Sequence, residues 1–118
     1  MTRPTRIRIG ALDYEIRWKD TVDCALTESH GDCLSDEQII CVKAADKPDR
    51  MACTFGHEIA HAIHCHFYPG IHDGFNNEHL AHVCGEGLVM VWRDNPEVFR
   101  WWVSLVEGGD HGESSVMG

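Results

Sequence analysis

The sequence lacks any apolar run long enough for a membrane span or for the core of an export signal. Met1-Thr-Arg-Pro-Thr-Arg leads directly into alternating residues. The expectation is a cytoplasmic protein with no membrane partner. Close cysteine pairs are also missing: the six cysteines stand at 24, 33, 41, 53, 65 and 84, with no Cys-x-x-Cys among them. That spacing argues against a cysteine-rich structural zinc site. Without an export signal, reduced thiols serving as small buried side chains are expected rather than a disulfide framework. Positive charge is scarce, with ten Lys and Arg against nineteen Asp and Glu and a net charge of -9. Such a field repels phosphate backbones and excludes nucleic acid as the main partner. The short basic stretch Thr2 to Arg8 reads as a solvated strand edge.

What is present suits one modest core. A chain of 118 residues with 43% apolar side chains is of single-domain size. The expected domain spans residues 1–107, and the Gly- and Ser-rich residues 108–118 form a tail expected to be disordered. The N-terminal part alternates with a period of two, in Arg6-Ile7-Arg8-Ile9 and in Tyr14-Glu15-Ile16-Arg17-Trp18, as strands with one buried face do. Gly10 to Asp13 turns between them. A second hairpin is expected from Gly31 to Lys43, turning at Ser35-Asp36-Glu37. Lys19 to His30 carries no clear signal.

After Lys43 the period becomes helical. Asp46 can cap a first helix with Pro48 in its first turn, where Met51, Phe55, Ile59, Ala62 and Ile63 recur until Pro69-Gly70. Asn76 or Asn77 can cap a second helix with the apolar stripe Leu80, Val83, Cys84, Leu88, Val91 and Trp92. Asn95 and Pro96 start a third, carrying Val98, Trp101, Trp102, Leu105 and Val106, its tryptophans being core residues. The fold expected is α+β: a small antiparallel N-terminal sheet followed by three helices.

The first helix carries His57-Glu58-x-x-His61. One turn apart on one face, the two imidazoles can reach a single ion, while Glu58 projects about 100° around the axis, where it can activate an attacking water. Zinc in catalytic sites takes three protein ligands and leaves one position open. The glutamate then accepts the proton of the attacking water and can pass it to the leaving amine. The motif lies mid-helix among Phe55, Ile59 and Ile63, where polar groups without a purpose would be costly. For the third ligand the residues leave Glu78, His79, His82 and Glu86 on the next helix open, with His64, His66 and His72 nearer in sequence.

Cys53-Thr-Phe-Gly-His-Glu-Ile-Ala-His-Ala-Ile, Asn77-Glu-His-Leu-Ala and Asp94-Asn-Pro-Glu, with Gly10-Ala-Leu-Asp-Tyr-Glu-Ile and Gly31-Asp-Cys-Leu-Ser-Asp-Glu-Gln-Ile-Ile upstream, resemble the ImmA/IrrE-type metallopeptidases, in particular their short phage-encoded members. The resemblance spans roughly residues 6 to 102. It implies a gluzincin arrangement with zinc as cofactor, His57, His61 and Glu78 as metal ligands and Glu58 as catalytic base. Where larger members often carry Asn, this chain has His82. That residue can donate to the transition state, support Glu78 or compete as a ligand; the first role makes it a catalytic candidate beside Glu58, as Tyr68 and His79 also are. The resemblance further implies cleavage of an intracellular bacterial or phage protein. Independently, an extended substrate added as a strand along the sheet edge beside the motif helix would present its carbonyl to the metal at a fixed height, and the hairpin Gly31 to Val42, which leads directly into that helix, is the expected edge. The rival expectations are an inactive zinc-binding interaction protein of the same fold, and a closed structural metal site using His82 or His64 as fourth ligand.

Overall fold

A computed structural model describes residues 2–20, 30–70 and 76–108. Four strands come first: β1 (Arg6–Ile9), β2 (Leu12–Lys19), β3 (Gly31–Leu34) and β4 (Ile39–Lys43), with a 3-10 turn at Ser35–Glu37 between the last two. Helices follow: α1 (Pro48–Phe67), α2 (Asn77–His82), a π-helical segment Val83–Gly87, α3 (Leu88–Asp94) and α4 (Pro96–Val106). This is the α+β class that the change of period predicts. The expected tail lies, from residue 109 on, outside the described residues, as do residues 21–29 and 71–75.

The alternating segments form β1 and β2, which pair antiparallel through a turn at Gly10, where φ is +65° and a side chain would be strained. Ile7, Ile9, Tyr14 and Ile16 face inward and the charged residues between them face out. β3 and β4 form the second antiparallel hairpin. The expectation of a purely antiparallel sheet is corrected here: β4 runs parallel to β2, and the strand order is β1-β2-β4-β3. Alternation specifies the pairing inside each hairpin but not which strands of two hairpins meet. β4 takes the central place because its run Ile39-Ile40-Cys41-Val42 is buried on both faces, as a central strand requires. β3, with no buried residue, is left at the edge among the described strands.

α1 lies against this sheet. Phe55 is fully buried and meets Trp18 in a stacked contact (6.3 Å) and Trp101 edge-on (5.2 Å). Ile59, Ala62 and Ile63 continue the buried stripe, and α4 closes the core with Val98, Trp101 and Leu105. Two caps differ from expectation. Lys47, not Asp46, precedes α1; the Asp46 carboxylate is drawn to His30 (2.8 Å) and Lys43 (3.7 Å). Asn95 precedes α4 without capping it, because its side chain joins β1 instead, accepting from Arg8 N (2.8 Å) and donating to Arg8 O (2.7 Å). Asn76 does cap α2, accepting from His79 N at 2.8 Å.

The second apolar stripe is also corrected. Val83, Gly87 and Val91 are buried, while Leu80, Cys84, Leu88 and Trp92 are exposed. The π segment widens the helix by one residue per turn, so the ideal helical period no longer marks the face that meets α1. Val106 is exposed as well. Gly87 makes the contact close: a Cβ there would overlap Ile63 and lie 3.1 Å from Phe67 Cε2.

Candidate metal centre

α1 puts its apolar stripe on the core and His57 and His61 on the opposite, exposed side. Glu58 points between the two directions, toward β3, and is only 7% exposed. β3 comes this near because Gly31 has no side chain. A Cβ there would stand 2.9 Å from Cys41 O and 3.3 Å from Glu58 Cγ and would crowd the Thr54 methyl.

His57, Glu58 and His61 each bring a ligand atom within 4.8 Å of the others, forming a group that can hold a metal ion. The two Nε2 atoms are 3.1 Å apart, with the rings at 75°. Two nitrogens bound at about 2.0–2.1 Å to one tetrahedral ion would be about 3.3 Å apart, so the imidazoles stand close to a chelating geometry. Burial, followed by the neighbouring His57 and His64, holds the His61 imidazole below its ordinary pKa, favouring the neutral form a ligand needs. Burial, and then the Asp32 charge, pushes the Glu58 carboxyl up to about 7; a cation beside it would act in the opposite direction.

These three residues open into a groove of about 950 Å³ between α1 and β3. Its β3 wall runs from Gly31 through Leu34 to Glu37, and its α1 side continues through His64 and Cys65. The β3–β4 pairing, with Lys43 N donating to His30 O at 2.9 Å, turns alternate residues away from β4, so the Cys33 backbone N–H and C=O face the groove side of the strand.

The other candidates have separate places. Glu78, in the first turn of α2, is exposed and is not in the group of three. His79 meets buried His64, Nδ1 to Nε2 at 3.1 Å, and stacks on Tyr68 at 3.9 Å. Burial and then His79 lower the His64 pKa. His82 stacks on Phe67 (4.0 Å), and its Nε2 lies 2.7 Å from Glu86. With that nitrogen donating to Glu86, Nδ1 accepts from the Tyr68 hydroxyl at 3.0 Å. α2 thus touches the motif helix at His64, Phe67 and Tyr68, one to two turns beyond His61. The His66 ring lies against Gly10 in the β1–β2 turn. His72 lies outside the described residues.

Asp32, Asp36 and Glu37 escaped the reading of the motif. They belong to the groove only because the sheet order brings β3 beside α1, and a hairpin turn rich in acidic residues is ordinary solvated sequence otherwise. No protein family, curated protein or solved structure matches the chain.

Proposed function

We propose that this chain is a zinc-dependent metallopeptidase of the His-Glu-x-x-His type, similar to the short ImmA/IrrE-type enzymes, which hydrolyses peptide bonds of an intracellular bacterial or phage protein. The observation that carries the reading is the pair of imidazole nitrogens 3.1 Å apart beside a buried carboxylate, at the head of a groove walled by an edge strand. His57 and His61 would hold the ion, with Glu78 completing the set. Support for Glu78 comes from its neighbour His79, whose contact with His64 ties the first turn of α2 to the motif helix. Zinc bound there would polarise the scissile carbonyl and make water acidic enough to attack at neutral pH.

The protein's own groups do the rest. Glu58, held by its burial against Gly31 and Thr54, takes the proton from the attacking water and returns it to the leaving amine. β3 offers an extended chain a backbone partner at Cys33, so that substrate adds as a strand at a fixed height above Glu58. His82 is the candidate for donating to the developing oxyanion, a role that requires its Nε2–H to leave Glu86 while the Tyr68 hydroxyl, donating to Nδ1, keeps the ring in that tautomer.

The test joins metal analysis to proteolysis. About one zinc per chain is expected in the purified protein, lost in His57→Ala and His61→Ala and weakened in Glu78→Gln. Glu58→Gln should keep zinc and lower cleavage by roughly 10²–10⁴; His82→Ala should keep zinc and slow turnover. Zinc binding with no cleavage of any peptide or intracellular repressor would favour the inactive interaction protein. Full zinc retention in both histidine variants would end the metal-centre reading.

A further inference from the structure

The groove is one-sided in charge. Its β3 wall and the 3-10 turn carry Asp32, Asp36 and Glu37, and at its floor Glu58, more than nine-tenths buried, has no hydrogen-bond partner among the described residues. None of the ten Lys and Arg side chains lines it. Those ten are Arg3, Arg6, Arg8, Arg17, Lys19, Lys43, Lys47, Arg50, Arg93 and Arg100, all among the described residues.

The arginines Arg6, Arg8 and Arg17 sit on β1 and β2 and are engaged with Asp13 and Glu15. β1 and β3 are the two ends of the strand order, which puts Arg6 and Arg8 at the edge away from the groove, while Arg17 and Lys19 lie on the interior strand β2, in register with Cys41 and Lys43 of β4. Leu34 shares with Asp32 the face of the edge strand opposite to Gly31 and Cys33, and leaves 39% of its surface exposed. An apolar step beside a carboxylate suits a side chain with an aliphatic stem and a cationic head, which can lie along the leucine while its charge stays with the acid.

We propose that the groove selects extended peptide segments carrying Lys or Arg next to the bond presented to His57, Glu58 and His61. This rests on the peptidase reading, though the charge selection concerns binding and can be measured without turnover. An acidic segment would meet like charges on one wall with no cation to answer them, so the same carboxylates exclude wrong partners as they attract right ones.

The experiment uses the zinc-loaded full chain and three fluorescent peptides of one length and one backbone sequence, differing only in Lys/Arg, Gln or Glu at two positions. Binding is measured by anisotropy and cleavage by mass spectrometry, at about 20 mM and about 300 mM salt. The basic peptide should bind at least about tenfold tighter than the Gln peptide at low salt, the Glu peptide weakest, with the spread shrinking at high salt. Combining Asp32→Asn, Asp36→Asn and Glu37→Gln should bring the ratio toward one. Removing the same charge elsewhere, by Glu15→Gln, Glu97→Gln and Glu107→Gln, should leave the preference in place, which separates the groove from the overall field of an acidic protein.

Basic and Gln peptides binding within twofold of each other would overturn the proposal, as would a preference untouched by the groove substitutions. Cleavage without charge preference leaves the peptidase reading standing and sinks this one. Preference without cleavage does the reverse, and no binding of any peptide refutes both.

Discussion

Cys33 stands in the groove wall with its thiol pushed up to about 11 by burial, the neighbouring Ser35 hydroxyl opposing only in part. A pKa raised from 9.0 to about 11 leaves about a hundredfold less thiolate at pH 8, and the thiolate is the nucleophile. Cys53 and Cys84 are exposed. In an alkylation time course at pH 8 followed by peptide mass spectrometry, these two should react first among the described cysteines and Cys33 at least about tenfold more slowly. Equal rates would mean that the β3 wall does not hold its cysteine against α1 as described. At the same scale, the candidate centre joins residues whose roles are opposed by environment: His57 and His61 reach solvent, while Glu58, one residue from His57, is buried under a glycine.

At the scale of elements, two glycines of the π segment have different work. Gly87 packs on Ile63 and Phe67, whereas a Cβ at Gly85 would meet nothing within 4 Å. Gly87→Ala should therefore destabilise the fold by about 1–3 kcal/mol through overpacking. Gly85→Ala should be neutral or stabilising by up to about 1 kcal/mol, since it removes backbone freedom from a helical position. Urea unfolding of the two variants checks the pair, and a larger loss for Gly85→Ala would contradict the packing of the π segment on α1. The same segment explains why the helical stripe was only half legible. Val83 and Val91 keep the inward face, but the wider turn carries Cys84 and Leu88 out of it.

For the whole molecule, an ion at His57 and His61 would tie the sheet-bound helix to whatever completes the set, and anything that binds only the folded state stabilises it. Zinc at about 100 times its dissociation constant should add about 2.7 kcal/mol, raising Tm by roughly 10 °C for a domain of this size. The gain should disappear on chelation and in His57→Ala. A thermal scan with and without zinc reads it, and a Tm indifferent to zinc would remove the metal from the fold's energetics.

No helix among the described residues is long and apolar enough to cross a membrane, in line with the missing apolar run. The sequence by itself determined the class of the fold, the two hairpins, the motif helix and its donor pair, because each rests on residues within one or two turns of one another. Local period and cap chemistry act at that range. Only the tertiary structure decided that β4 lies parallel to β2, that β3 is the edge beside Glu58, and that Asp32, Asp36 and Glu37 share a groove with His61. Those depend on which hairpin strand finds the most burial, and Ile39-Ile40-Cys41-Val42 wins the central place. The cap at Asn95 was likewise settled by a strand 87 residues away, where Arg8's backbone polar groups competed for the same amide.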